Sequence, residues 1–203
     1  MLCENAHAPA AARSGSLARG VSVYAFGVDH TLTSIIGSVS VTEHRKTAVA
    51  GVRCYVLTIS DTRTQSTDAS GDAIVELLEA AGHIVAGRAI LRDDPGAVRK
   101  AVSAQLGAVD AVITTGGTGI TSRDSTYEAL ERLLDKRLDG FGELFRALSF
   151  QEVGSAAMMT RAAGGVADAT AVFMLPGSEQ AVRLGMTRLI VPELGHVIRE
   201  LRR

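Results

Sequence analysis

From residue 52 onward, short apolar runs rich in β-branched residues alternate with stretches whose apolar positions recur every three or four residues. The runs at 52–59, 83–90, 111–115 and 170–175 have the length and branching of buried strands. Between them, Ile74, Leu77, Leu78 and Ala81 share one helical face and Gly82 stops the helix. Val98, Ala101, Val102 and Leu106 form a second stripe. It opens at Asp94 as N-cap with Pro95 in the first turn, and it closes at Gly107. Leu130, Leu133 and Leu134 line a third helix, for which Ser125 and Glu128 have the spacing of a capping box. Two short helical stretches are predicted at 143–150 and 155–163, another from about Glu179, and a last one carrying Val197, Ile198 and Leu201.

Strands that alternate with helices at this spacing predict an α/β domain, a mostly parallel sheet between two helical layers. Right-handed crossovers then bring every strand-to-helix turn to one edge of the sheet. That edge gathers Ser60 and Asp61, then Asp93, then the segment from Gly116 to Asp124, then Pro176-Gly177-Ser178. Each lies just beyond a predicted strand, where α/β sheets bind ligands.

The richest of these turns is T-T-G-G-T-G-I-T-S-R-D, residues 114–124. Gly116, Gly117 and Gly119 permit close backbone approach and positive φ. Their N–H groups, with the hydroxyls of Thr115 and Thr118, can cradle phosphate. The run matches neither of the common nucleotide-binding glycine patterns, and an isolated G-G-T-G is as readily a structural turn. The downstream pair Arg123-Asp124 shifts the balance. With Ser125 as cap, Asp124 has no capping duty. Asp93 is in the same position, because its neighbour Asp94 does the capping. Two such carboxylates facing phosphate-type loops predict Mg²⁺ and a nucleotide.

Composition narrows the classes. The 203 residues suffice for one sizeable domain plus an appendage. A formal net charge of −1 argues against a bulk electrostatic grip on nucleic acid, and no apolar run approaches a membrane span. Cys3 and Cys54 offer neither a disulfide framework nor metal spacing, which fits a reducing cytoplasm, with Cys54 a small buried hydrophobe. His83 and His196 are read as structural. Residues 1–50 differ from the rest. Their Ala/Ser/Gly-rich stretch reads as a weakly ordered extension, without the basic start of a secretory signal, and the domain proper is placed at 51–203.

Beyond these physical signals, several segments are recognisable together: T-I-S-D-T-R, the D-x-S-G helix start at Asp68, T-T-G-G-T-G-x-T-x-R-D, G-F-G-E-L-F-R-x-L-S-F and L-P-G-S. They resemble the MoaB/MogA family of molybdenum-cofactor proteins, whose domain also occurs in gephyrin and plant cofactor-biosynthesis proteins. The segment from Leu148 to Gly154 is most similar to the MoaB branch. The resemblance covers about three quarters of the chain, from Val52 to Arg203. It implies a molybdopterin-binding α/β fold, usually trimeric and in some members hexameric. Active members transfer AMP from ATP to the terminal phosphate of molybdopterin and release pyrophosphate, and a molybdenum-insertion protein acts next.

The family's two essential aspartates match Asp93 and Asp124, which the resemblance makes Mg²⁺ ligands. Some MoaB-branch proteins depart from Asp there, so their presence here favours activity. The pterin-contacting segments match Gly116 to Gly119, and Gly142, Glu143 and Arg146 with Ser149. Pro176, Gly177 and Ser178 match the turn near the nucleotide. Ser60, Asp61, Ser70, Gly71, Thr115 and Arg123 complete the expected substrate-binding set. A catalytically silent molybdopterin binder or carrier is the alternative, although paired carboxylates would weaken simple binding of a phosphorylated pterin.

The segment around α-helical positions 141–150 carries more apolar surface than one core face needs. Leu144, Phe145 and Leu148 form a stripe, and Phe141 and Phe150 extend it. Either all of it fills the core, or part of it meets a neighbouring subunit.

Overall fold

The computed structural model describes residues 48–121 and 125–203. The expected extension over 1–50 therefore lies almost wholly outside the described residues, as do Arg123 and Asp124. Strand β1 (Arg53–Ile59) leads to helix α1 (Ala69–Ala80), β2 (Ile84–Leu91), α2 (Pro95–Ser103), β3 (Ala111–Thr115) and α3 (Thr126–Glu131). Then come β4 (Lys136–Arg137), α4 (Asp139–Val153), a 3₁₀ turn (Gly154–Met159) and the hairpin of β5 (Ala163–Ala167) and β6 (Thr170–Leu175). Helix α5 (Glu179–Gly185) runs through a π-helical turn (Met186–Ile190) into α6 (Val191–Leu201).

The six strands lie in the order β2-β1-β3-β6-β5-β4. Strands β1, β2, β3 and β6 are parallel, and β5 and β4 add an antiparallel margin. The expected α/β class, with a mostly parallel sheet flanked by helices, is what forms. Strand periodicity of two distributes the core between the faces. Cys54 and Val56 of β1, Ile113 of β3 and Phe173 and Leu175 of β6 pack with Ile74, Leu78, Phe145, Met186 and Ile198. Leu57, Ile59, Val112 and Met174 face the other way, onto Val98, Val102 and Leu130. Cys54 is fully buried, and burial, reinforced by Asp110, pushes its thiol up to about 12. It is inert packing, as expected.

The antiparallel margin was not foreseen. Residues 155–163 were expected to form a helix, but they hold only the 3₁₀ turn, and Ala163 already begins β5. The β5 sequence A-G-G-V-A carries little strand propensity. Its place is set by fit: a side chain at Gly165 would meet the Lys136 carbonyl at 2.6 Å, and one at Gly164 would meet Phe173 at 3.1 Å. The β5–β6 turn uses Asp168 and Ala169 at φ of 45° and 58°, a two-residue hairpin without the usual glycine signal. Residues 143–150 belong to one longer helix that starts at Asp139.

Residues just before 51 also contact the last helix. The Val49 N–H donates to the Gly195 carbonyl at 3.0 Å, and a side chain at Gly195 would meet the Val49 carbonyl at 2.5 Å. Val49 packs half-buried against the core of the α6 face. The Ala/Ser/Gly-rich composition within residues 1–47 promises little core, so we expect their removal to leave the melting temperature unchanged. Removal of 1–50 forfeits one hydrogen bond and part of a valine, about 1–2 kcal/mol. A thermal melt that responds equally to both deletions refutes this boundary.

Candidate functional site

The four parallel strands end at one edge, and their turns touch. The Ser60 N–H donates to the Leu91 carbonyl at 2.8 Å, joining the ends of β1 and β2. The Asp93 N–H donates to Asp61 Oδ1 at 3.3 Å. The Gly116 N–H donates to the Leu175 carbonyl at 3.1 Å, and the Thr115 hydroxyl donates to the Pro176 carbonyl at 2.9 Å. Arg63 Nη2 donates to the Gly177 carbonyl at 2.6 Å. The edge expected to collect Ser60, Asp61, Asp93, the glycine loop and Pro176-Gly177-Ser178 thus does so among the described residues.

Gly116 and Gly117 have φ of 95° and 64°. A Cβ on Gly116 would clash with the Ile59 carbonyl oxygen, and one on Gly117 would meet the Thr126 side chain at 2.9 Å. The glycines are required at once by backbone conformation and by close packing. Thr118 is nearly buried, whereas Gly119 and Ile120 are exposed, so the turn opens progressively toward solvent.

Asp93 is half-buried, and its Oδ1 accepts from the buried Thr126 hydroxyl. That bond fixes the carboxylate and leaves Oδ2 for another partner. Asp61 stands beside it through the Asp93 N–H. Among the described residues no three His, Cys, Asp or Glu side chains gather as a metal set. Two oriented carboxylates at a phosphate-type loop nonetheless suit Mg²⁺, which takes one or two carboxylates, substrate phosphates and water.

Several expectations need correction. Ser125 occupies the N-cap position of α3, but its φ of −107° and ψ of 0° are not the extended cap geometry, and its hydroxyl caps nothing. Glu128 pairs instead with Arg161. The capping box therefore does not form, whereas Asp93 has no capping duty, as expected, and its partner Thr126 is 33 residues away in the chain. Thr115 is fully buried and its single hydroxyl proton goes to Pro176, so it joins two loops rather than donating to phosphate. Ser70 and Gly71 are buried too. Ser70 Oγ accepts from Arg63, and a side chain at Gly71 would meet Arg88 at 2.6 Å. They shape the support of the site, not its surface.

That support centres on Asp68, the N-cap of α1, which is fully buried. It accepts from Thr58 Oγ1 at 2.6 Å, Gly71 N at 3.0 Å and Arg88 Nη2 at 2.6 Å, with Arg63 3.6 Å away. Burial pushes its carboxyl up, but these hydrogen bonds and the Arg88 charge outweigh it and hold the group below the usual carboxylate range. A depressed native pKa gives stability that is complete above the unfolded value of about 4 and is lost as pH falls through the native value. Acid titration of Asp68→Asn, followed by circular dichroism, should therefore show a flatter acid limb than wild type. Superimposable acid limbs would refute the role.

Helix α4 separates two cavities. One of about 190 Å³ is lined by Tyr127, Gly142, Glu143, Arg146 and Ala162. The other, about 150 Å³, holds Phe145, Ser149, Thr160, Pro176 and Ser178. The expected segment Gly142-Glu143-Arg146 with Ser149 is therefore divided between them. Ser178 also caps α5, accepting from Ala181 N at 3.3 Å. Arg146 is half-buried in the polar cavity, and no ion pair commits it among the described residues.

Sequence reasoning missed Arg161. Its Nε donates to the Thr118 carbonyl at 3.0 Å, and Nη2 donates to the Gly119 carbonyl. Nη1 pairs with Glu128, and the guanidinium carbon lies 4.9 Å from the Tyr127 ring centroid. Nothing near Arg161 in the chain marks it, because the glycine loop is about forty residues away in sequence.

The long α4 helix resolves the question of the apolar stripe. Phe145 is fully buried, whereas Leu144 is 57% and Phe150 61% exposed, alongside Val153, Met158 and Met159. The stripe does not all serve the core. Among the described residues no helix is long and apolar enough to cross a membrane. His83 is held below its ordinary pKa by burial, and His196 pairs with Glu193 at 3.2 Å, both remote in role from the edge.

Known proteins resemble this chain in sequence and in fold. Residues 55–196 match the family model described as a probable molybdopterin binding domain. Molybdenum cofactor biosynthesis protein B of Halalkalibacterium halodurans is 54% identical over 165 residues, 80% of this chain and 97% of that protein. A crystal structure of a molybdenum cofactor biosynthesis protein B superimposes with a TM-score of 0.73 at 54% identity, covering 75% of this chain and 96% of that one. The tungsten cofactor synthesizing protein MoaB from Pyrococcus furiosus gives 0.69 at 39% identity, covering 77% and 100%.

Proposed function

Because the chain belongs to the molybdopterin-binding family of molybdenum cofactor biosynthesis protein B, we propose that it adenylylates molybdopterin. The observation that carries the reading is the convergence of Asp93, the glycine turn and the Pro176–Ser178 turn at one sheet edge. A terminal phosphate oxygen of molybdopterin attacks the α-phosphorus of ATP, a new P–O bond forms, the bond to the β-phosphate oxygen breaks, and pyrophosphate leaves.

Such a reaction needs little covalent help from the protein. Its barrier is charge crowding, relieved by positioning and neutralisation. Asp93, with Asp124 two residues before Thr126, would hold Mg²⁺, which when bound neutralises phosphate charge. Thr126 keeps the Asp93 carboxylate turned for that task. Loop N–H groups from Gly117 to Gly119 hold the incoming phosphate, and Arg146 meets anionic groups of the pterin from the polar cavity. Pro176, Gly177 and Ser178 bound the nucleotide side.

The test is direct. Purified chain with Mg²⁺, ATP and molybdopterin should form adenylyl-molybdopterin and pyrophosphate, read by chromatography. Tight molybdopterin binding with no AMP transfer would instead identify a carrier.

The same reading includes self-association. Leu144, Phe150, Val153, Met158 and Met159 are large apolar side chains left exposed, and exposed apolar surface is what subunits cover. Light scattering at micromolar concentration is expected to give three or six times the chain mass. A monomer mass with full activity overturns this.

A further inference from the structure

We propose that Arg161 is a positioning residue that aims the glycine turn at the phosphate of the pterin; the proposal rests on the reading of the site as a molybdopterin site. In a trans peptide the C=O of one residue and the N–H of the next point in opposite directions. Arg161 takes the carbonyls of Thr118 and Gly119, two in succession. The N–H groups of Gly119 and Ile120 are therefore turned away from the guanidinium, toward the exposed side of the loop, and two successive N–H groups facing one way make an anion-binding concavity.

The guanidinium is itself fixed. Glu128 holds one end and the Tyr127 ring lies against its face. Tyr127 also lines the cavity that contains Arg146, so one side chain links the phosphate-type loop to the polar pocket. A planar fork of donors can span two carbonyls in this way, whereas an ammonium on a flexible stem cannot do so in a fixed plane. The positive charge behind the loop adds to the attraction for phosphate.

The full chain and the variants Arg161→Met and Arg161→Lys test the assignment. Binding of molybdopterin and of its enzymatically dephosphorylated form is measured by intrinsic pterin fluorescence, with the melting temperature recorded for each variant. Arg161→Met is expected to weaken molybdopterin binding at least about tenfold and to leave the dephosphorylated pterin within about twofold of wild type. Arg161→Lys should recover less than half of the lost affinity.

Equal losses for both pterins mark a merely structural residue and overturn the proposal, as does an unchanged affinity in Arg161→Met. If wild type binds molybdopterin but transfers no AMP, the adenylylation reading fails while a phosphate-selective loss still supports Arg161. Wild-type chain that binds no molybdopterin overturns both.

Discussion

Asp93→Asn is expected to reduce AMP transfer about a thousandfold, comparable with removing a group that stabilises transition-state charge, while molybdopterin binding and melting temperature stay near wild type. Asparagine keeps the size of the side chain and an oxygen that can accept from the Thr126 hydroxyl. The fold around α3 therefore has no reason to change. What is lost is the negative charge that would hold Mg²⁺ against the phosphates. Asp124→Ala is expected to behave alike. Single-turnover transfer with radiolabelled ATP separates the chemical step from binding and release. A near-normal single-turnover rate in Asp93→Asn would remove this carboxylate from the mechanism.

Gly116→Ala should damage both stability and activity. The new methyl would clash with the Ile59 carbonyl oxygen, at a φ of 95° that L-residues avoid. Backbone strain of about 1 kcal/mol and overpacking of about 1–3 kcal/mol give a loss of about 3 kcal/mol, or roughly 6–12 °C in melting temperature for a domain of this size. Relief would push the end of β1 away from the glycine turn, and a shift of about 1 Å in a positioning loop costs about a hundredfold in rate. Gly140→Ala is the control, since a Cβ there meets nothing within 4 Å. A Gly116→Ala protein that melts with wild type would show that the turn can yield freely.

The parallel core was readable because β1, β3 and β6 are apolar, branched runs. Each is bounded by turn chemistry, and each buries both faces. Asp94 announced its own role, and it caps α2 through a bond to Ala97 N at 2.6 Å. The margin was unreadable for the opposite reason. β5 is a strand because Lys136, Leu134 and Phe173 leave room only for glycine, a tertiary demand without local periodicity.

The site divides along the same line. Asp61, Asp93 and the glycines follow their strands directly, so topology alone brought them together. Ser125 failed as a cap because its backbone dihedrals, invisible in the sequence, point the hydroxyl elsewhere. Arg161 and Arg63 act across about 40 and about 110 residues of chain, and long-range partners of a loop leave no local trace. In both cases an arginine takes a turn carbonyl that would otherwise need water.

The pairing of β3 with β6 has a consequence for biosynthesis on the ribosome. Three strands of the sheet have been made by Thr115, yet the N–H that begins the glycine turn donates to the Leu175 carbonyl, and Gly177 lies against Gly116. Nascent chains complete their contacts from the N-terminus onward, and pairings between distant segments close late. A chain that stops short of β6 therefore carries Asp61 and Asp93 without the Leu175 and Gly177 that abut the glycine turn. The glycine turn therefore takes its final form only once β6 has been made.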